Sequence, residues 1–119
     1  WIWLGRRLAK RGIGPLYATS YFSPQSVRRS AEQLGRFIAR VRAREKCEQV
    51  DIVAHSLGGV VARYYIERLQ GSAHIGRLIT IGSPHNGTVI ARLGALFPSA
   101  RESLTNSALY ADLGPLTAH

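Results

Sequence analysis

The chain has 119 residues, of which 45% are hydrophobic and 19% charged, a composition that is typical of globular proteins and excludes a disordered segment. Its 16 Lys and Arg residues exceed its 7 Asp and Glu residues, and the net charge of +9 raises the question of an anionic partner. No apolar run reaches the roughly 18 residues of a transmembrane helix. The single cysteine, Cys47, excludes an internal disulfide framework and an all-cysteine metal site.

The beginning of the chain predicts a helix followed by a short strand. Within residues 1–12 the side chains of Trp1, Leu4 and Leu8 recur on one face, and Gly12 marks the end of the helix. Residues 16–22 are rich in aromatic and β-forming side chains and predict a strand or an extended segment. Arginines follow the first apolar residues, which is not the order of a secretory signal peptide, and the sequence assigns no cellular compartment.

The longest helix is predicted from Pro24 to about Glu45. Ser23 is its predicted N-cap, because serine followed by proline is a common helix start. Apolar residues then recur at spacings of three and four and should be buried: Val27, Ala31, Leu34, Ile38 and Val41. Basic residues occupy the opposite face and should be exposed: Arg36, Arg40 and Arg44. A solvated basic face predicts weak, strongly salt-dependent DNA binding.

The second half of the chain predicts strands that alternate with a helix. Residues 50–54 form a short apolar run that is typical of a buried parallel strand. Helical spacing returns from residue 58 to 69, and the next apolar run covers residues 75–81. Strands joined through helices predict right-handed crossovers and therefore an α/β fold with a parallel sheet. Residues 1–119 show no internal domain boundary.

The junction between the predicted strand and helix carries the strongest chemical signal. Residues 53–59 read VAHSLGG, in which Ser56 is flanked two positions away by Ala54 and Gly58. A serine between a strand and a helix, with very small neighbours, is typical of a nucleophile elbow. In such a tight turn the backbone angles of Ser56 would be strained, and its hydroxyl would be exposed. It would also direct the backbone N–H of Leu57 toward a developing oxyanion.

Two segments resemble a known family. Residues 50–69, reading VDIVAHSLGGVVARYYIERL, resemble the elbow of bacterial α/β-hydrolase-fold lipases and esterases of the triacylglycerol lipase (EstA) type. Residues 78–88, reading LITIGSPHNGT, resemble the strand and turn that follow it. The resemblance implies a parallel-sheet α/β-hydrolase fold and hydrolysis of carboxylic esters through an acyl-enzyme on Ser56, with no cofactor. It places four further residues in the elbow: Ala54, His55, Gly58 and Gly59.

The same resemblance implies catalytic groups that this sequence does not contain in the expected places. The acid and the histidine of the triad should follow later strands, and a His-Gly oxyanion motif should precede residue 1. The sequence is therefore expected to be a central, incomplete section of the domain that is inactive alone. Its strands should then leave apolar residues less buried than in a complete domain: Ile52, Val53, Ile79 and Ile81. Three residues remain as alternative partners of Ser56: His85, Asp112 and His119.

Other functions remain open on the sequence alone. Thioesterases, acyltransferases and amidases use the same elbow, and a chain without its acid and base could be a non-catalytic interaction module. A nucleic-acid binder is disfavoured, because the aromatic residues are not interleaved with the charges as in stacking platforms. No metal is expected, because the four histidines are widely spaced. The expected partners are an ester or lipid substrate and a transiently contacted lipid surface, with no obligate protein partner.

Overall fold

The computed structural model of the chain describes residues 2–20, 26–85 and 113. In chain order its elements are helix α1 (Ile2–Lys10), helix α2 (Val27–Glu45), strand β1 (Val50–His55), helix α3 (Leu57–Arg68), a short 3-10 helix (Gly71–His74) and strand β2 (Ile75–Ile81). This order confirms the predicted α/β architecture. It also confirms the predicted helix at the start of the chain, which ends before Gly12 as expected.

The segment after α1 differs from its predicted structure. Residues 16–20 form no strand, so that alternative of the prediction is wrong there, and residues 21 and 22 lie outside the described ranges. The Tyr17 hydroxyl donates a hydrogen bond to the Glu45 carboxylate, and the guanidinium of Arg44 lies 5.7 Å from the centre of the Tyr17 ring. The aromatic residue that suggested a strand therefore attaches this segment to the C-terminal end of α2.

The start of α2 lies three residues later than predicted. Ser26 is the N-cap, and its Oγ accepts a hydrogen bond from the backbone N–H of Arg29 at 3.3 Å. Both Ser23 and Pro24 lie outside the described residues. The predicted N-cap at Ser23 is wrong, because the N-cap of α2 is Ser26. A serine at this place satisfies one of the N–H groups that the first turn of a helix leaves without a partner.

The amphipathic pattern predicted for α2 is present. Val27, Ala31, Leu34 and Ile38 are buried, while Val41 is only half-buried. The three arginines expected to face water, Arg36, Arg40 and Arg44, are exposed. The spacing of the apolar residues alone predicted which side of α2 is buried, because an apolar stripe on a helix is stable in water only when another element covers it. That element is α3, which packs against α2.

Strands β1 and β2 are parallel neighbours joined by the α3 crossover, as the sequence predicted. The register places Ala54 opposite Thr80 and His55 opposite Ile81. Alternate side chains face α3, whereas the apolar residues of the opposite face are substantially exposed: Val53 at 40%, Ile79 at 51% and Ile81 at 44%. Ile52, on the α3 side, is half-buried. That these residues are less buried than in a complete domain stays a prediction.

A single aromatic side chain joins α3 to the elements on both sides of it. The ring of Tyr65 lies between Gly35 of α2 and Gly71 of the 3-10 helix, and a Cβ at those glycines would lie 2.8 Å and 2.3 Å from ring carbons. The Tyr65 hydroxyl is 2.9 Å from Nδ1 of His74, and burial raises the pKa of this tyrosine. Both glycines are therefore needed for close approach, and α3 is held firmly behind the strand that precedes it.

Candidate active site

Ser56 is the single residue between β1 and α3, and its backbone is strained. Its φ of 52° and ψ of −131° lie outside the regions that L-residues other than glycine readily adopt. The backbone N–H of Ser56 donates to the carbonyl of Ile81 at 3.0 Å, which ties the turn to the carboxyl end of β2. The predicted strand-to-helix turn with a strained serine is thus present at the edge of the sheet where both parallel strands end.

The hydroxyl of Ser56 does not cap helix α3, which begins at the next residue. Serine at an N-cap usually accepts a hydrogen bond from the second or third helical N–H, as Ser26 does at the start of α2. Ser56 occupies the N-cap position of α3, yet its side chain makes no capping hydrogen bond. The Ser56 hydroxyl is therefore not committed to capping α3.

Leu57 begins α3 directly after the serine. The first four N–H groups of an α-helix have no acceptor within the helix, and the helix dipole places partial positive charge there. The backbone N–H of Leu57 is therefore a suitable donor to an anion that forms beside Ser56. The Leu57 side chain is 44% exposed, so it leaves this helix end accessible from solvent. Both properties fit the oxyanion role predicted for Leu57, which stays a prediction.

The small residues around Ser56 differ in how closely other side chains approach them. A Cβ added at Gly58 would lie 3.9 Å from the Cβ of Ala54, an ordinary contact. At Gly59 the added Cβ would lie 2.1 Å from Oγ of Ser83 and 2.9 Å from Cγ2 of Thr80. Ala54 and Gly58 are therefore neighbours in ordinary contact, and the tightest packing lies at Gly59. Gly59 faces β2 and brings α3 against its last residues, whereas Gly58 only has to clear Ala54.

His85, one of the alternative partners of Ser56, lies in the turn after β2. Its Nε2 is 3.1 Å from Oγ1 of Thr80, and its Nδ1 is buried without a hydrogen-bond partner among the described residues. Burial lowers the pKa of His85 below the usual value near 6.5, and the positive charge of Arg63 lowers it further, while Glu67 opposes this. The ring is therefore neutral at pH 7, and one of its nitrogens is already engaged by Thr80.

The lowered pKa of His85 predicts a specific loss of stability in acid. Below pH 6.5 the unfolded chain takes up a proton on this imidazole that the folded chain resists, so the free energy of unfolding should fall as the pH decreases. His85→Gln should reduce this dependence on pH. The measurement is the urea midpoint of unfolding at pH values about one unit above and about one unit below the usual histidine pKa. His55→Gln, at an exposed position, is the matched control. If the stability of His85→Gln depended on pH as strongly as that of the unaltered protein, His85 would not be the source of the acid sensitivity.

Arg63 is a buried charge that the sequence pattern did not reveal. Its side chain is 4% exposed, with Nε 2.7 Å from a carboxylate oxygen of Glu67 and Nη2 donating to the carbonyl of Leu113 at 2.7 Å. Leu113 is itself buried in the core. The only local signal was the spacing of four between Arg63 and Glu67, which on most helices marks a solvated ion pair. The second partner of the buried guanidinium is a carbonyl fifty positions later in the chain, which no local spacing reveals.

The remaining predicted site residues divide into two groups. Ala54 is buried at the end of β1, and His55 is exposed beside it. Asp112 and His119 lie outside the described residues, so their proposed partnership with Ser56 stays a prediction. Within residues 2–20, 26–85 and 113, no three His, Cys, Asp or Glu side chains come together in a group that could hold a metal ion.

The sequence profile of the palmitoyl protein thioesterase family matches residues 18–115. The chain belongs to this family. The match covers the elbow, both strands and the turn that carries His85, and it begins after α1. Membership confirms the α/β-hydrolase character inferred from the motifs and makes the chain part of a hydrolase family. The narrower resemblance to EstA-type lipases is not supported by this match, which names a thioesterase.

Proposed function

We propose that the intact protein is a serine hydrolase that cleaves carboxylic acyl bonds through an acyl-enzyme on Ser56. The observation that carries the proposal is the strained backbone of Ser56 at the N-terminus of α3, with a hydroxyl that makes no capping bond. Such strain costs on the order of 1–3 kcal/mol and persists where the surrounding structure imposes it, which is common at catalytic residues. Membership of a thioesterase family supports the same reading.

The chemistry follows from the placement of the turn. The Ser56 Oγ attacks the carbonyl carbon of the substrate, and its proton passes to a general base, which the resemblance identifies as a histidine held by a carboxylate. The carbonyl oxygen becomes an oxyanion, to which the N–H of Leu57 donates. Collapse of this intermediate passes the proton from the base to the leaving group and leaves the acyl group on Ser56. Water, deprotonated by the same base, then attacks the acyl carbon, and collapse of the second intermediate releases the acid and restores the Ser56 hydroxyl.

This mechanism allows two substrate classes, thioesters and oxoesters, which differ in the leaving group. The family favours a thioester of a long acyl chain, whereas the resemblance of residues 50–69 and 78–88 to lipases favours an oxoester. A thiolate leaves readily without protonation, because the pKa of its thiol is about 8.5, whereas an alkoxide leaving group requires protonation by a general acid. Comparing a palmitoylated cysteine peptide with the palmitoylated serine peptide of the same sequence distinguishes them. Higher kcat/KM on the cysteine peptide indicates a thioesterase, and the reverse indicates an esterase.

Covalent labelling tests the nucleophile itself. A fluorophosphonate should modify Ser56 in the intact protein, because such probes react with activated serines and not with ordinary hydroxyl groups. Peptide mass spectrometry should locate the label on Ser56, and Ser72→Ala, at an exposed serine of the 3-10 helix, should be labelled as well as the unaltered protein. Labelling that persists in Ser56→Ala would overturn the assignment. Absence of both labelling and turnover in the intact protein would instead favour the non-catalytic interaction module.

A further inference from the structure

Helix α1 carries one strongly basic face with a tryptophan at its centre. Five residues spaced by three and four positions lie together at the surface of α1 and of the turn that follows it, and we call them the Trp3 face: Trp3, Arg6, Arg7, Lys10 and Arg11. Such spacing places side chains on one side of a helix. No Asp or Glu occurs between residues 1 and 31, so no acidic neighbour along this stretch neutralises the four cations.

The tryptophan of this face is held at the surface. Trp3 is 65% exposed, the highest value among the large apolar side chains of the described residues, and the guanidinium of Arg7 lies 4.8 Å from the centre of its ring. Leu4 and Leu8, one turn apart, are half-buried beside it. Ile13, just after the helix, is 64% exposed. Apolar surface and positive charge therefore occur together along one short segment.

We propose that the Trp3 face docks the protein on an anionic lipid surface. The indole ring has an apolar body and a polar N–H and is favoured at the boundary between headgroups and acyl chains, while the surrounding cations are attracted to anionic headgroups. Nine residues make a helix of roughly 14 Å, which can lie in the headgroup region parallel to the surface. Of the helices described, none is long and apolar enough to cross a membrane.

This docking does not depend on the proposed hydrolase activity. A nucleic acid is the main competing partner, because one aromatic ring among four cations also suits a phosphodiester backbone. The half-buried Leu4 and Leu8 and the exposed Ile13 favour lipid, since a bilayer interface rewards additional apolar contact and a phosphodiester backbone does not. Duplex DNA therefore enters the experiment as an alternative ligand.

Vesicle binding by the chain tests the proposal without any measurement of activity. The chain should sediment with vesicles of phosphatidylcholine mixed with phosphatidylserine and not with vesicles of phosphatidylcholine alone, and high salt should weaken the binding. Trp1 and Trp3 are the only tryptophans, so intrinsic fluorescence reports on this segment alone. Binding should shift its emission to shorter wavelength and protect it from quenching by acrylamide.

Two triple variants separate the Trp3 face from net charge. Substituting Arg6, Arg7 and Lys10 by glutamine should weaken binding by on the order of 100-fold, because each cation near an anionic surface contributes about a fivefold factor. The matched control substitutes Arg29, Arg36 and Arg40 of α2, which are equally exposed, and lowers the net charge by the same three units. It should retain most of the binding. Trp3→Ala should weaken vesicle binding while leaving the folded structure intact, since its ring is largely exposed.

Three results would overturn the proposal. Equal losses in the two triple variants would show that overall charge, and not the Trp3 face, attracts the vesicles. Equal binding to both vesicle compositions would exclude recognition of anionic headgroups. Tighter binding to duplex DNA than to phosphatidylserine vesicles at the same salt, lost on substitution of Arg6, Arg7 and Lys10, would assign this face to nucleic acid.

Discussion

Replacing Ser56 by alanine is expected to reduce acyl hydrolysis by the intact protein by on the order of a millionfold. The hydroxyl forms the covalent bond to the acyl group, so its removal leaves only binding and oxyanion stabilisation. Rates on a chromogenic ester and on an acyl thioester measure the effect. Ser72→Ala, which removes an exposed hydroxyl elsewhere, should remain within about twofold of the unaltered protein, as surface substitutions generally do.

A glycine at the same position makes the experiment more specific. Ser56→Gly should be as inactive as Ser56→Ala, yet more stable by about 1 kcal/mol, because glycine adopts a positive φ without steric penalty. Alanine keeps the Cβ and therefore keeps the strain. Loss of activity together with a gain in unfolding free energy would show that the strain is maintained for function. Residual activity within tenfold of the unaltered protein in both variants would exclude Ser56 as the nucleophile.

Gly59→Ala is expected to destabilise the fold by about 3 kcal/mol, at the upper end of the range for overpacked sites. The new methyl carbon would lie 2.1 Å from Oγ and 2.6 Å from Cβ of Ser83, and 2.9 Å from Cγ2 of Thr80, so α3 and the end of β2 would have to separate. Gly58→Ala is the matched control. Its methyl group meets only Ala54 at 3.9 Å, and alanine favours the helix by roughly 0.5–1 kcal/mol relative to glycine.

A second substitution tests whether the contact with Ser83 causes the loss. Ser83→Gly removes both of the closest atoms, so Gly59→Ala combined with Ser83→Gly should recover part of the stability, with the Thr80 methyl group still in place. Urea unfolding of the four proteins completes a double-mutant cycle. Additive effects of the two substitutions, or a Gly59→Ala protein as stable as the Gly58→Ala protein, would contradict the steric account.

The elements that the sequence predicted correctly are those with a repeating local pattern. The stripe from Val27 to Ile38 has the period of a helix, and the apolar run at residues 75–81 has the length of a buried strand. Ser56 was found for a related reason, because small residues around a serine at a strand–helix junction are determined by sterics over five positions. Period and short-range sterics are properties of neighbouring residues, so they can be read without knowing the fold.

The features that the sequence did not reveal depend on residues far apart in the chain. Tyr17 contacts the end of α2 and forms no strand, and the buried guanidinium of Arg63 donates to the carbonyl of Leu113. Gly59, and not Gly58, is the crowded position because Ser83 and Thr80 approach it from β2. The sequence alone thus determined helix α2, the two strands with α3 between them, and the serine at the elbow. Packing between distant segments decided which glycine is crowded, which arginine is buried and which aromatic ring contacts α2, because such contacts leave no periodic trace.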